Sequence, residues 1–185
     1  MQQSTRRGFL ALAGFAPLIA AAPPPKIPRQ APNFTIYLGT GQRLELESLR
    51  GKVVALEMLL TTCPHCQRCA ATMQKLHEEF SAQGLAVVGA AVDDGARANM
   101  LSFLVKSGAR FPVGVADRSE AYRFLQADTD PASGGLYFPQ LVFIDRKGII
   151  QAQFGGTDNF FLEEEKNARA QITSLLGLNK GVAKK

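Results

Sequence analysis

The chain's three cysteines follow shortly after an apolar run, and this arrangement most constrains how the chain can fold. The run is VVALEMLL, residues 53–60, and it is apolar throughout except for Glu57. A short continuous run of this kind is typical of a buried central strand. The motif CPHC follows after two threonines, and from Cys63 onward apolar residues recur at helical spacing. The pattern therefore predicts a buried strand leading directly into a helix, with Cys63 and Cys66 at the start of that helix.

The rest of the chain alternates predicted strands with predicted helices. Apolar and polar residues alternate around Gly39 and Gly41, which indicates a hairpin before the central strand. Strands alternating with helices favour a layered α/β fold. With 185 residues, 46% of them hydrophobic, the chain has the material for one core and therefore one domain. The further expected elements are strands over 85–93, 111–117, 139–145 and 149–156, and helices over 63–84, 96–108, 118–126 and 159–176.

The first 22 residues have the plan of a twin-arginine export signal. The pair Arg6 and Arg7 precedes an apolar stretch that ends in small residues. Pro17 breaks that stretch, which is shorter than the roughly 20 apolar residues of a membrane-spanning helix. We expect cleavage near Ala20 to Ala22, with an uncleaved anchor as the alternative. The expected location is the periplasm, or otherwise across the cytoplasmic membrane of a bacterium, where disulfides persist.

Composition divides the remainder into a linker, a domain and a tail. The proline-rich segment 23–32 reads as a linker, residues 33–178 as the domain, and residues 179–185 as a basic tail. Of the 21 Lys and Arg residues, two lie in the leader and three in the tail, so the body carries no cation excess over its 16 Asp and Glu. We therefore expect no nucleic-acid partner, and membrane contact only transiently through the export signal.

Four motifs occur in order along the chain: LESLRGKVVALEMLLTTCPHC, VVGAAVD, FPVGVAD and FPQLVFIDRKG. Together they resemble the thioredoxin-like proteins of the TlpA/ResA type, within the wider AhpC/TSA group, over residues 32–176. The resemblance implies a thioredoxin-like fold, with a central mixed β-sheet flanked by helices and an N-terminal hairpin extension. It also implies a thiol–disulfide oxidoreductase that exchanges with protein thiols and disulfides, is recharged by a redox partner, and needs no bound cofactor.

The CPHC pair is the expected reactive centre. A thiolate, and not a thiol, attacks a disulfide. At the start of a helix, unpaired N–H groups and the helix dipole favour negative charge on Cys63, and Cys66 follows one turn later. We therefore assign Cys63 as the nucleophile and Cys66 as the resolving thiol, supported by the intervening Pro64 and His65.

His65 leaves the direction of electron flow open. The sequence CPHC is also that of DsbA-type oxidants, and a charged His65 would stabilise a Cys63 thiolate and make the disulfide more oxidising. The TlpA/ResA resemblance implies a reductase instead. The alternative interpretation of His65 is an exposed residue at the helix start.

Glu57 lies six residues before Cys63, where thioredoxins carry a buried carboxylate behind the pair. Burial in an apolar strand raises the pKa of a carboxyl group, which would suit Glu57 to exchange a proton with Cys66. The alternative is a strand-edge glutamate that faces water.

The resemblance also assigns residues that would contact the disulfide and the substrate. Pro139 is expected to have a cis peptide bond and to lie against the disulfide. The backbone of the preceding residue, Phe138, would pair with a bound peptide, although Phe138 is larger than the residue usual there. Thr62 replaces the tryptophan usual before the first cysteine and is the second expected substrate contact.

Three interpretations of the role of Cys69 are open. Residues three apart on a helix are displaced by about 60°, so Cys69 shares a flank with Cys66 and points away from Cys63. It could be an apolar bystander, a thiol that traps or regulates the pair, or a metal ligand. Zinc needs about four ligands, an iron–sulfur cluster lacks its fourth cysteine, and a c-type haem motif would need histidine in place of Gln67. We expect no metal.

Two other function classes are weighed against the oxidoreductase. An AhpC/TSA-type peroxidase would use the pattern P-x-x-x-T-x-x-C, but this chain has Leu56 and Leu60 at the proline and threonine positions. A copper-handling module like the SCO proteins would use C-x-x-x-C with a distant histidine. The spacing here is one residue shorter, and the chain's histidines are His65 and His77.

Overall fold

Eight strands form one mixed sheet in the computed structural model, which describes residues 25–127 and 135–178. The expected export signal and basic tail lie outside the described residues. The strands are β1 (Arg29–Gln30), β2 (Thr35–Leu38), β3 (Arg43–Glu45), β4 (Val53–Leu59), β5 (Leu85–Ala91), β6 (Val113–Val115), β7 (Gln140–Ile144) and β8 (Ile149–Gly155).

Four α-helices are present in the same residues. They are α1 (Pro64–Phe80), α2 (Ala96–Ser107), α3 (Arg118–Leu125) and α4 (Glu164–Leu176), with 3₁₀ helices over Leu46–Leu49, Ser81–Gln83 and Asn159–Glu163. Within these described stretches, none of the helices combines the length and apolarity required to cross a bilayer.

The strand order is β1-β8-β7-β4-β5-β6-β2-β3, so β4 lies inside the sheet between β7 and β5. The pairs β4–β5 and β5–β6 are parallel, and the remaining pairs are antiparallel. Parallel neighbours require a crossover, which α1 supplies between β4 and β5 and α2 between β5 and β6. The expected α/β architecture with a central mixed sheet is confirmed.

Side chains of β4 alternate between the two faces of the sheet. Ala55 and Leu59 join a buried cluster with residues of α1, α2 and α4. Leu56 and Met58 join a second cluster, on the opposite face, with residues of α3. Glu57 has the same parity as Ala55 and Leu59, so the strand directs its carboxylate toward the layer that contains α1 and α4.

The sheet also extends into the segment expected to be a linker. Arg29 pairs opposite Ile150, and Gln30 opposite Ile149, so β1 forms the outer strand beside β8. The Arg29 guanidinium donates to the Phe124 carbonyl at 2.7 Å and to Gln153 Oε1 at 2.8 Å. The density of prolines predicted a linker here. The two residues of β1, which lie between Pro28 and Pro32, are nevertheless enough to add an edge strand.

The N-terminal hairpin expected before the central strand is present as β2 and β3. It attaches to the far edge of the sheet, where Tyr37 lies opposite Val115 and Leu38 opposite Gly114. A Cβ atom at Gly114 would lie 2.5 Å from the Tyr37 carbonyl oxygen. Glycine at this position therefore permits the close approach of the two strands.

Candidate active site

Cys63 lies at the junction between β4 and α1, as the N-cap residue of the helix. Pro64 occupies the first helical position, where a missing N–H costs nothing. The Cys63 N–H donates to the Leu60 carbonyl at 3.1 Å and closes the turn. The Cys66 N–H donates to the sulfur of Cys63 at 3.2 Å. The N–H groups of the first helical turn therefore include a donor directed at the Cys63 sulfur.

The two cysteines of the pair differ in access to solvent. Cys63 is half-buried, whereas the side chain of Cys66 is fully buried. Burial raises the pKa of the Cys66 thiol far above its usual value, and its hydrogen bond with Cys63 raises it further. An external disulfide can therefore meet Cys63 first, while Cys66 stays protonated behind it. This arrangement fits the roles that the sequence predicts for the two residues.

Glu57 is buried behind the pair, as the first of the two interpretations expected. Its strand position lies between Gly89 of β5 and Leu141 of β7. The residue is fully buried, and neither carboxylate oxygen has a hydrogen-bond partner of normal geometry among the described residues. Burial raises the pKa of Glu57 well above its usual range, and the charges of Glu164 and Cys63 raise it further. The neighbouring Cys69 thiol lies close enough to lower that pKa slightly.

The peptide bond between Phe138 and Pro139 is cis, as predicted. The Cys63 sulfur lies 3.9 Å from the Phe138 carbonyl oxygen, so this loop borders the reactive sulfur. A Cβ atom at Gly156 would lie 2.5 Å from the same carbonyl, which leaves room only for glycine behind the loop. Of the two expected substrate contacts, Phe138 is half-buried and Thr62 is exposed.

His65 contacts residues from the far end of the chain. Its Nε2 lies 3.7 Å from Glu164 Oε2 at the start of α4, and its ring meets that of Phe161 edge-on at 4.8 Å. The His65 side chain is 26% exposed and that of Glu164 13%. Sequence reasoning missed Glu164 and Phe161, because no local pattern shows that the start of α4 approaches the start of α1.

A third missed residue, Asp93, fixes the loop just before Cys63. The Asp93 carboxylate accepts hydrogen bonds from the Thr61 N–H at 2.8 Å and the Thr61 hydroxyl at 2.6 Å. The Gln67 amide donates to the Thr61 carbonyl at 3.1 Å from the helix side. A usable signal existed, because Asp93 is the last residue of a predicted strand, and parallel strands bring their carboxyl ends to one edge.

Cys69 is fully buried one turn after Cys66. Burial raises the pKa of the Cys69 thiol, and the Glu57 and Glu164 carboxylates raise it further. Within the described ranges, His, Cys, Asp and Glu side chains do not assemble into a group of three or more that could hold a metal ion.

Comparison with known proteins identifies the family. The model of the AhpC/TSA family matches residues 27–153, more than half of the chain. The chain belongs to the AhpC/TSA family. The thiol-disulfide oxidoreductase ResA of Halalkalibacterium halodurans is 29% identical over 136 residues, 73% of this chain and 72% of the relative. ResA of Bacillus thuringiensis subsp. konkukian is 26% identical over 140 residues, 75% of this chain and 76% of the relative.

Solved structures show the same fold as this AhpC/TSA family member. A thiol:disulfide interchange protein of the thioredoxin family from Chlorobium tepidum aligns with a TM-score of 0.65 and 23% identity, over 83% of this chain and 99% of that one. A thiol:disulfide interchange protein from Bacteroides sp. aligns with a TM-score of 0.64 and 15% identity, over 83% and 91% of the two chains. The expected thioredoxin-like fold is confirmed, and so is the enzyme class, a thiol–disulfide oxidoreductase.

Proposed function

We propose that this AhpC/TSA family member is an exported enzyme that exchanges a Cys63–Cys66 disulfide with protein thiols through a mixed disulfide. The observation that carries the proposal is the asymmetry of the pair. The half-buried Cys63 sulfur accepts an N–H hydrogen bond, and the fully buried Cys66 lies directly behind it. Two-step exchange needs one sulfur that meets the substrate and a second that later displaces it.

In the reducing direction, the Cys63 thiolate attacks one sulfur of a substrate disulfide. The substrate S–S bond breaks, its other sulfur leaves as a thiolate, and Cys63 becomes linked to the substrate. Cys66 then gives its proton to the Glu57 carboxylate and attacks the Cys63 sulfur. The second substrate thiolate leaves as the Cys63–Cys66 disulfide forms, and two electrons have passed to the substrate.

The same steps in reverse oxidise a substrate dithiol, and Glu57 then returns its proton to Cys66. A separate redox partner restores the starting state in either direction. The reduction potential of the pair sets the direction: about −270 mV, as in thioredoxin, favours a reductant, whereas about −120 mV, as in DsbA, favours an oxidant. Equilibration of the pair with glutathione buffers of known potential measures it directly.

The substrate segment is proposed to lie along the cis-proline loop. The Phe138 carbonyl is 3.9 Å from the Cys63 sulfur and can accept a hydrogen bond from an extended peptide. Tyr137, the residue before Phe138 in the same loop, is 60% exposed and adds a large side chain to this surface. Thr62, which directly precedes Cys63 in the chain, is exposed and completes the proposed contact surface.

The proposal of export depends on the leader sequence, residues 1–22, which lies outside the described residues. The paired arginine and the apolar stretch support delivery across the cytoplasmic membrane of a bacterium, to the periplasm. Disulfide exchange as a steady function fits such an oxidising location.

The test of the proposed function is a trapping experiment with insulin as the disulfide substrate. Wild type should reduce insulin in the presence of dithiothreitol, and Cys63→Ser should lose the activity. Cys66→Ser should accumulate a mixed disulfide between Cys63 and insulin, visible as a shifted band without reductant. Full insulin reduction by Cys63→Ser, or failure of Cys66→Ser to trap any partner, would contradict the proposed mechanism.

A further inference from the structure

A buried glutamine follows directly after the loop that borders the reactive sulfur. Gln140 is the first residue of β7 and is 4% exposed. The positions of the same parity in this strand hold Val142 and Ile144, which join the apolar cluster on the α3 side of the sheet. A polar side chain in such a place is costly unless its polar atoms find partners. The partner of the Gln140 amide is therefore the key to its role.

The Gln140 amide holds the main chain of the preceding loop. Its Nε2 donates to the Tyr137 carbonyl at 2.7 Å, three residues back along the chain. The Gly156 N–H, just beyond β8, donates to the same carbonyl at 2.9 Å. A carbonyl oxygen has two lone pairs, so both acceptor positions of Tyr137 are filled. Pro139 has no N–H, and the Gln140 side chain supplies the donor that the main chain lacks there.

Two glycines at the end of β8 make room for this arrangement. Gly155 lies opposite Gln140 in the sheet, and a Cβ atom at Gly155 would lie 2.9 Å from the Gln140 Nε2. A Cβ atom at Gly156 would lie 2.5 Å from the Phe138 carbonyl oxygen and 3.1 Å from that of Tyr137. The glutamine amide and the loop therefore pack directly against the main chain at the end of β8.

Phe138 lies between two fixed points of the main chain. On one side the Tyr137 carbonyl is held by two donors, and on the other side Gln140 pairs opposite Met58 of β4. The Phe138 carbonyl oxygen lies 3.9 Å from the Cys63 sulfur. Because the Tyr137 carbonyl is already filled, the Phe138 carbonyl is the acceptor that this loop offers to a substrate.

We propose that Gln140 is a positioning residue for the substrate: by holding the Tyr137 carbonyl, it fixes the Phe138 carbonyl where that group accepts an N–H of the substrate peptide. This role rests on the proposed function and deepens it by naming what the site recognises. The favoured substrate is an extended polypeptide with a free main-chain N–H beside its reactive cysteine, because only such a segment can use the Phe138 carbonyl. A small disulfide without peptide groups gains nothing from it.

The experiment compares Gln140→Met with Gln153→Met in the full chain. Methionine keeps the length of the side chain and removes the donor, while the Tyr137 carbonyl keeps its hydrogen bond from Gly156. Gln153, half-buried on β8, is the matched control, because its amide also donates to a main-chain carbonyl, that of Leu125 at 2.9 Å. Urea unfolding of both variants establishes that each one is folded.

Insulin and hydroxyethyl disulfide serve as substrates at saturating dithiothreitol, because insulin has peptide N–H groups and hydroxyethyl disulfide has none. In Gln140→Met the KM for insulin should rise about 2- to 10-fold, which corresponds to one ordinary hydrogen bond. The kcat should stay near that of wild type, as for a loss of uniform binding. The kcat/KM for hydroxyethyl disulfide should not change, and Gln153→Met should behave as wild type with both. An unchanged KM for insulin, an equal loss with both disulfides, or an equal effect of Gln153→Met would overturn the proposal.

A second variant moves the carbonyl without touching Gln140. Gly156→Ala adds a Cβ atom 2.5 Å from the Phe138 carbonyl oxygen, so that carbonyl has to shift. Its KM for insulin should rise as well, with hydroxyethyl disulfide again spared, and a wild-type KM would contradict the role of the Phe138 carbonyl. If Gln140→Met does not fold, Gln140→Asn, which draws the amide back by one carbon, replaces it in the same assay.

The same measurements separate this role from the proposed function. Insulin reduction by wild type, with an unmoved KM in the Gln140 variant, removes the positioning role alone. Wild type that reduces no insulin overturns the proposed function and the positioning role with it.

Discussion

The backbone N–H of Cys66 points at the sulfur of Cys63 across 3.2 Å. The resolving residue therefore orients the nucleophilic one through its main chain, independently of its own thiol. Replacing the Cys66 side chain should leave this hydrogen bond in place, so Cys63 should remain reactive when Cys66 is a serine. The relationship makes the Cys66→Ser variant interpretable, because it removes the resolving step and keeps the N–H donor to the Cys63 sulfur.

Glu57→Gln should slow the release of substrate from the mixed disulfide. The amide keeps the size of the side chain but cannot accept the Cys66 proton, and loss of such help costs roughly 10²- to 10⁴-fold in favourable cases. The first attack, by Cys63, should change much less. Quenched-flow measurements of the amount of mixed disulfide, repeated over a range of pH, give the rates of both the attack and the release steps. Equal release rates and equal trapped fractions for wild type and variant would contradict the proton-acceptor role of Glu57.

Glu57 should also make the protein less stable as pH rises. The pKa of Glu57 in the folded protein is raised by burial above its unfolded value of about 4.3. The folded state therefore holds a proton that the unfolded state releases, and this stabilising contribution is complete below the unfolded pKa and is lost as pH rises toward the folded pKa.

Glu57→Gln lacks this dependence. From about pH 4 to about pH 7 its free energy of unfolding should rise relative to that of wild type, because only wild type loses the stabilising proton. Urea unfolding at both pH values, with the exposed Glu47→Gln as the control, gives the comparison. A difference that stays constant with pH would contradict a raised pKa at Glu57.

Asp93→Ala should loosen the loop that precedes Cys63. The substitution leaves the buried Thr61 without an acceptor for its N–H and its hydroxyl. An unsatisfied buried donor costs about 1–3 kcal/mol, which should appear as a lower free energy of unfolding in urea. The alkylation rate of Cys63 by iodoacetamide should change as well. Asp94→Ala, an exposed neighbour, should alter neither quantity, and similar behaviour of both variants would contradict the assigned role of Asp93.

Cys69→Ser should retain most insulin reduction at neutral pH. Cys69 is fully buried, so no substrate can reach it directly. Its loss should alter the environment of Glu57 without removing either exchanging sulfur. Cys63→Ser, assayed in parallel, gives the inactive baseline. A fall of Cys69→Ser to that baseline would make the third thiol part of the exchange itself.

Replacing Arg6 and Arg7 together by lysine should leave the precursor in the cytoplasm. The twin-arginine pathway reads the paired arginine, and lysine keeps the charge but not the guanidinium groups. Immunoblots of cytoplasmic and periplasmic fractions measure the distribution. Unchanged export of wild type in a strain that lacks this translocon would remove the assignment.

The sequence by itself determined the strand–helix junction, because its signals are local. The apolar run before Cys63 could only be buried, and the helix starts at the proline that follows. The sequence left Glu57 with two interpretations, and the buried one is correct because β4 lies between β7 and β5 with one face packed against α1 and α4. The family resemblance also predicted the cis bond before Pro139.

Only the tertiary structure decided which distant groups meet this junction. Glu164 reaches His65 because Ala168 and Ile172 seat α4 on the sheet beside α1, and Asp93 reaches Thr61 because β5 pairs in parallel with β4. Periodicity shows which face of an element is apolar, but the contacts between faces depend on register and packing across the whole core. The approach of Glu164 to His65 and the burial of Glu57 are therefore properties of the assembled fold, not of the motif.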